Sequence, residues 1–413
     1  MQKYYRLLYN NIYFKQKLTY QGHTMEILHV NPLDSQTLEE IGLEWHTDLD
    51  NSAYIADEVV CISQDEAEAF YNAGNELYDM YVEAGEYVLE NNLLFELDIP
   101  PSLHDMIKQS WEEDIHWHLY GRFDLAGGLD GKPIKLLEFN ADTPTMLYES
   151  ALIQWALLKA NGFDENLQFN DISQALRQNF KRLVTLSSDT SFFDDLYEDW
   201  KILFSSIKGN IEEEITTRFL CQLAKEAGFE SAYAPIDEVS FSPQDGVIYD
   251  NMQYEFLFKL IPWEFIAIDE PEMLALMREM MSNKNTIFLN PAYTLMFQSK
   301  RMLKILWDLF PRHPLLLESS FEPLGRKQVS KPSFGREGEN VEICDAQGKA
   351  IHAKEGIYGV QKRVYQEFYE LNSHNTSYYQ ANVFFAYESC GLGFRKGGNI
   401  LDNYAKFVSH IIN

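Results

Sequence analysis

The stretch GRFDLAGGLDGKPIKLLEFNADTP, residues 121–144, carries Arg122, Asp124, Glu138, Asn140 and Asp142 in two strand-like runs joined by a glycine-rich turn. Arg122, Asp124, Glu138 and Asn140 hold even positions, so on an antiparallel hairpin they share one face whenever paired residue numbers sum to an even value. A register centred on Gly131 sets Arg122 opposite Asn140 and Asp124 opposite Glu138. Two facing carboxylates repel each other unless a cation lies between them. Oxygens of Asp, Glu and Asn suit Mg²⁺, which completes its shell with water and phosphate, and an arginine on the same face can clamp a phosphoryl group. Two other arrangements compete. If Asp130-Gly131 forms a tight two-residue turn, the sum becomes odd and the polar sets face apart, so the metal reading needs an odd-length loop or a bulge. The same residues also suit a solvated sheet face with ordinary cross-strand charges.

Other segments offer complementary groups. VSKPSFGREGENV (329–341) reads as a strand ending at Lys331 that runs into a loop with Gly335, Arg336 and Gly338; glycines let backbone N–H groups approach phosphates, although a plain flexible turn has the same composition. Lys300 stands at the start of a helix expected from Ser299, where the helix dipole disfavours a cation unless an anion binds there; an exposed surface lysine is the alternative. Gln366 and Glu367 in VYQEFYEL have the donors and acceptors to read a purine edge, or form ordinary sheet. GLGFRKGGN sets Arg395 and Lys396 among glycines, and Pro262-Trp263-Glu264 holds one carboxylate in apolar surroundings, suited to gripping an amine or to a structural ion pair. His116 and His118 alternate without a third partner and read as structural.

The elements that must position these groups are legible in outline. Ser63, early acids and the spacing of Phe70, Leu77, Tyr81 and Val88 predict a long helix from Ser63 to about Phe95. Pro100-Pro101 ends it, IHWHLYGRFDL alternates as a strand, and Pro144 opens a helical run that stops at Asn161-Gly162. Strand KILFSSI, helix EEEITTRFLCQLAKEAG, strand SAYAPI and extended runs ending in FLFKLIPWEF make an α/β layer between 201 and 265. SKRMLKILWDLFP (299–311) is a short amphipathic helix, and the last hundred residues are β-rich. The expected division is 25–115 mostly helical, 116–298 an α/β substrate and metal region, and 299–413 a nucleotide-binding region.

Composition narrows the partners. The 34 basic and 63 acidic residues among 413 give a net charge of −29, which repels nucleic acid and anionic membranes, while a small phosphate ligand shielded by Mg²⁺ remains compatible. No run of about 18 apolar residues occurs. Cys61, Cys221, Cys344 and Cys390 form no C-x-x-C pair, consistent with a reducing cytoplasm. Residues 1–24 hold Lys3, Arg6, Lys15 and Lys17 and no acid, lack a signal-peptide apolar core, and read as an extension before a start at Met25.

In order along the chain, RFD (122–124), LLEFNADTPT (136–145), IPWEF (261–265), SK (299–300), VSKPSFGREGENV (329–341), YQEF (365–368) and GFR (393–395) resemble the glutathionylspermidine synthetase-like family of ATP-grasp ligases, and its stand-alone acid–amine ligase members above all. The resemblance covers roughly 25–413 and does not include the amidase domain of the bifunctional enzyme, so amidase activity is not implied. It implies an α/β fold with α+β lobes, an ATP-grasp unit with a pre-ATP-grasp region, and an N-terminal helical segment.

Residue by residue, the resemblance makes Arg122 an ATP-contacting arginine, Asp124 a ligand of a first Mg²⁺, Glu138 a carboxylate bridging two Mg²⁺ ions and Asn140 a ligand of the second. Lys300 and Lys331 match ATP-binding lysines, Gly338 a phosphate-loop position, Gln366 the adenine hinge and Gln380 a further nucleotide contact. Arg395 matches the transition-state arginine, and Asp142, Thr143, Thr145 and Glu264 lie where the family binds its substrates. The implied activity is amide formation between a small-molecule acid and an amine through an acyl phosphate, with ADP and phosphate released. A catalytically weak ATP-binding protein supporting a partner, and a phosphotransferase, are the competing readings. The sequence does not fix the oligomeric state or the identity of the acid and the amine.

Overall fold

The computed structural model describes residues 25–48 and 50–413. The expectation for residues 1–24 lies outside them. An eight-stranded sheet dominates, in the order Glu26–His29, Ile55–Ile62, Lys406–Ile412, Glu388–Gly397, Ser377–Ala386, Gly121–Ala126, Lys135–Asn140, with Asn372–His374 added beside Ser377–Ala386. Its pairs are antiparallel except Ile55–Ile62 with Lys406–Ile412, which run parallel. The sheet takes strands from each of the expected sequence segments. The N-terminal segment, expected to be mostly helical, supplies two of them; in Ile55–Ile62 every residue but Asp57 is buried, including Glu58, whose carboxylate accepts from the Tyr379 hydroxyl at 2.6 Å.

The long helix spans Gln64–Glu90 and starts with a capping box, in which Ser63 caps the N–H of Glu66 and the Glu66 carboxylate accepts from the Ser63 N–H. Its buried stripe, Phe70, Leu77, Tyr81 and Val88 among others, packs on the main sheet. Tyr81 meets Phe123 and Phe139 at ring-centroid distances of 6.0 and 5.1 Å. Phe123 and Phe139, paired across the hairpin, stack at 3.9 Å. These odd-numbered aromatic residues claim the helix side of the sheet.

A four-stranded all-parallel sheet, ordered Ile287–Leu289, Phe256–Lys259, Lys201–Ser206, Glu230–Pro235, forms a second layer. Helix Ile211–Ala227 is the crossover between Lys201–Ser206 and Glu230–Pro235, capped by Asn210 at its start and ended by Gly228 at φ 109°. A five-stranded antiparallel sheet, ordered Ser319–Ser320, Arg363–Glu367, Gln328–Pro332, Glu342–Cys344, Ala350–Ala353, carries the glycine loop. The helix expected over 299–311 is observed as Met302–Leu309, which leaves Lys300 in the connection after Thr294–Gln298 and outside any helical first turn. Among the described residues no helix is long and apolar enough to cross a membrane, and the four cysteines are buried and free.

Candidate active site

The hairpin resolves its own register with two devices. Asp130 and Gly131 adopt φ 55° and 72°, and the Lys132 N–H donates to the Leu129 carbonyl at 3.0 Å, so the tight turn favoured by Asp-Gly does form. Next to it Ala126 pairs with Lys135 and Leu125 with Leu136, an odd sum. A bulge then intervenes, and Asp124 pairs with Glu138, Phe123 with Phe139 and Arg122 with Asn140, an even sum. The extra residue is Leu137. Leu136 is buried in the core with Leu125, whereas Leu137 and Glu138 both line a cavity.

That cavity measures about 390 Å³ and lies where the three sheets meet. The main sheet contributes Arg122, Asp124, Glu138, Asn140, Gln380 and Arg395. The carboxyl ends of the parallel strands lead into Ile207 and Leu260, and Lys300, Lys331 and the loop Gly335–Gly338 close the other side. Crevices at the carboxyl ends of parallel strands are the usual binding place of α/β sheets.

At one end, cations and carboxylates interleave. Arg122 donates to both Asp124 oxygens at 2.8 and 3.1 Å and to the Thr145 carbonyl at 2.8 Å; Asn382 donates to Asp124 Oδ1 at 2.8 Å. Lys300 Nζ lies 3.1 Å from Glu138 Oε2 and donates to the Gly335 carbonyl at 2.6 Å. Burial acts to raise the Glu138 carboxyl, but the ammonium groups of Lys300 and Lys331 outweigh it and hold the group down at about 2. Burial, reinforced by Lys300, pushes the Lys331 ammonium down to about 8 against the opposing pull of Glu138. Asn140 Nδ2 lies 3.4 Å from Glu138 Oε1.

Lys331 Nζ donates to the Leu137 carbonyl at 2.9 Å and to Gln366 Oε1 at 2.8 Å, and Gln366 Nε2 donates to the Leu136 carbonyl at 3.1 Å. The bulge is therefore tied to the five-stranded sheet. Around Lys331 the cavity wall is apolar: Leu137, Val329, Val341, Ile343, Leu371, with Tyr369. Gly338, at φ 71°, lies so close to residue 401 that a Cβ would stand 2.3 Å from the Leu401 carbonyl oxygen. Only glycine fits there.

The other end of the cavity is acidic. Glu212 and Glu213, in the first turn of helix Ile211–Ala227, line it with Tyr54, Ile207, Leu260, Pro262 and Phe265. Burial, and then the neighbouring Glu149, push the Glu212 carboxyl up to about 8 against the pull of Arg395; burial pushes Glu213 up to about 7, opposed by Arg336. One Glu213 oxygen is buried without a partner. Arg395 joins the two ends: it pairs across the sheet with Gln380 and donates to the Asp402 carbonyl at 2.6 Å.

The structure brings Arg122, Asp124, Glu138, Asn140, Thr143, Thr145, Lys300, Lys331, Gly338, Gln380 and Arg395 to one cavity. Three expected contacts stand behind its wall. Gln366 is buried behind Lys331. Asp142 is fully buried, bonded to Lys259 Nζ at 3.2 Å and the Trp263 N–H at 2.9 Å. Glu264 is buried against Arg336 at 2.5 Å, so the carboxylate considered for an amine is already neutralised by a cation of the glycine loop. His118 is structural, its ring 3.0 Å from the Ala141 carbonyl, with burial pushing it down to about 4. Sequence reasoning missed Tyr54, Glu212 and Glu213 as cavity residues.

With this geometry in place, comparison with known proteins decides the family. The family described as "Glutathionylspermidine synthase preATP-grasp" matches residues 25–413. The chain belongs to that family. A Haemophilus influenzae protein named "Putative acid--amine ligase" is 29% identical over 405 residues, which span 91% of this chain and 95% of that one. The Escherichia coli "Bifunctional glutathionylspermidine synthetase/amidase" is 27% identical over 354 residues, 78% of this chain and 54% of its own length, so the match spans about half of that relative. The solved structure of a glutathione synthetase-like effector from Globodera pallida aligns with 92% of this chain and 98% of its own, with a TM-score of 0.57 at 10% identity; the likeness is one of fold. The architecture is thus the mixed α/β ATP-grasp fold with its pre-ATP-grasp region, as family members have it.

Proposed function

We propose that this family member is an ATP- and Mg²⁺-dependent carboxylate–amine ligase that forms an amide through an acyl phosphate. The observation that carries the reading is the single face holding Arg122, Asp124, Glu138 and Asn140 opposite Lys300 and Lys331, beside a glycine loop. The donor set fits Mg²⁺: two carboxylates face each other with the side-chain amide of Asn140 next to them, and an arginine and a lysine pair with those carboxylates. Asp124, Glu138 and Asn140 would hold two Mg²⁺ ions, which neutralise the triphosphate and polarise its terminal phosphoryl group.

The residues of the chain do the rest. The apolar slot around Val329, Val341, Ile343 and Leu371 takes the base. Lys331, Lys300 and the backbone at Gly338 bind the phosphates. Arg122 orients the acid, whose carboxylate oxygen attacks the γ-phosphorus; ADP leaves, and Arg395 stabilises charge as the acyl phosphate forms and is consumed. Thr143 and Thr145 border the place where acid and phosphate meet. Glu212 and Glu213, with the apolar Ile207, Leu260 and Phe265, receive the amine as a cation on a hydrocarbon stem. A cytoplasmic location suits the four reduced cysteines.

A panel of acids and amines, starting with the glutathione and spermidine of the relatives' names, tests the reading through stimulated ADP release and the mass of the product. The expected result is ADP release that needs both an acid and an amine and an amide whose mass equals their sum less one water. A phosphorylated product with no amide, or ADP release indifferent to every pair, would overturn it.

A further inference from the structure

Glu149 has no task in the reaction described above, yet it is an unusual residue. It opens the π-helical turn Glu149–Ile153, a local irregularity often retained for function, and it is completely buried. Its Oε1 accepts from the Tyr54 hydroxyl at 2.8 Å and from Trp45 Nε1 at 3.2 Å. Its Oε2 is buried with no partner, and no lysine or arginine among the described residues bonds to it. A glutamine would accept the same two bonds without the cost of burying a charge, so structure alone gives no reason for a carboxylate.

Tyr54 connects this carboxylate to the chemistry. It lines the cavity together with Arg395 and Glu212, and its hydroxyl feels the charges of both. An amine held by Glu212 and Glu213 arrives as an ammonium ion and must shed a proton before it can attack. We propose that Tyr54 and Glu149 form a proton relay that removes it; the proposal rests on the ligase reading. The Tyr54 oxygen takes one proton from the ammonium as its own hydroxyl proton passes to Glu149 Oε1, so no tyrosinate forms. The neutral nitrogen's lone pair then attacks the carbonyl carbon of the acyl phosphate. The C–N bond forms, the C–O bond to phosphorus breaks, and phosphate leaves with that electron pair and the second proton of the nitrogen. Glu149 returns its proton through Tyr54 to water once the amide has left.

The surroundings agree with the role. The ionisable groups facing Glu149 are Tyr54, Tyr148, Arg122 and Glu212. Burial, only partly offset by the bonds it accepts and by Arg122, raises its carboxyl above the usual carboxylate range, which suits a group that must gain and then lose a proton.

The test uses the full-length protein with Glu149→Gln and Tyr54→Phe, the acid and amine that succeed in the ADP-release screen, and hydroxylamine as an alternative nucleophile whose nitrogen is already unprotonated at neutral pH. Each variant is expected to lower kcat with the amine by about 10²-fold or more. Hydroxamate formation should stay at the wild-type rate, because hydroxylamine needs no relay. The rise of wild-type kcat/KM with pH that follows ionisation of Glu149 should vanish in Glu149→Gln, and that variant should melt no lower than wild type. Wild-type kcat with the amine in either variant would overturn the relay, and so would an equal loss with hydroxylamine, which marks a structural role. A wild-type enzyme that makes neither hydroxamate nor amide would instead overturn the ligase reading itself.

Discussion

The two ends of the cavity solve opposite electrostatic problems. At the end built on the hairpin, each carboxylate already has a cation: Asp124 has Arg122, and Glu138 has Lys300. At the end built on helix Ile211–Ala227, Glu212 and Glu213 form no ion pair among the described residues, and Glu149 behind Tyr54 has none either. The first end is balanced and ready for an anion that brings its own metal ions. The second has carboxyls without counter-charges, and they are driven toward protonation. A cation that binds there would restore their charged form. The contrast teaches that substrate polarity is written in which charges lack partners, more than in which charges are present.

The contrast can be broken most forcefully at Glu138. Glu138→Ala removes the carboxylate that Lys300 and Lys331 share, and Mg²⁺-dependent ADP release should fall by at least ~10²–10³, the typical cost of deleting one preorganised electrostatic group. Circular dichroism should show the fold retained, with a lower melting temperature, since the buried Lys300 and Lys331 lose the carboxylate that offsets their charge. Next in size, Lys331→Met should weaken ATP binding about 10- to 100-fold, measured by calorimetry, because hydrogen bonds to a charged group are worth about 1.5–3 kcal/mol. At the acidic end, Glu212→Gln should raise KM for the amine by roughly tenfold and leave ATP affinity unchanged. An equal effect on both ligands would mean that the two ends are not separate.

The smallest effect is on pH. The Lys331 ammonium is depressed to about 8, so the charged form that phosphates prefer prevails below that value and is lost above it. ATP affinity, followed by titration calorimetry, should be flat from pH 6 to about 7.5 and fall by at most about tenfold per pH unit above 8. Lys331→Met should abolish that slope.

The two ends also differ in how far the sequence disclosed them. Arg122, Asp124, Glu138 and Asn140 are conspicuous because strands place alternate residues on one face, and charges at that period in an otherwise apolar run demand an explanation. The bulge left a trace as well: in KLLEFN, strict alternation would align Leu136 with Glu138 and Asn140, an apolar residue on the polar face. The acidic end left none. Glu212, Glu213 and Glu214 look like ordinary acids favoured by a helix N-terminus. Tyr54 and Glu149 meet across 95 residues of sequence, and nothing local announces the encounter. The expected contacts that stand behind the cavity wall share one cause. Asp142, Glu264 and Gln366 sit beside true cavity residues in the chain, but Lys259, Arg336 and Lys331 engage them inside the protein, and sequence does not show which partner claims a polar group first. The long helix and the α/β layer were legible because their periodicity spans many residues; the strand Ile55–Ile62 is short and its pattern is interrupted by the adjacent Asp57 and Glu58, so no clear period marks it as a strand.

The single extra residue at Leu137 uncouples the turn from the site. Everything on the turn side of it counts in one parity and everything on the cavity side in the other. Drift in the length of the Gly127–Ile134 loop is therefore harmless in steps of two, whereas a step of one would exchange Glu138 with Phe139, sending a phenyl ring into the cavity and a carboxylate into the aromatic core, unless the bulge were lost at the same moment. Homologous hairpins should differ in length by even numbers, or else trade the bulge for the odd residue: the family's chemistry is protected by a rule of arithmetic as much as by the residues themselves.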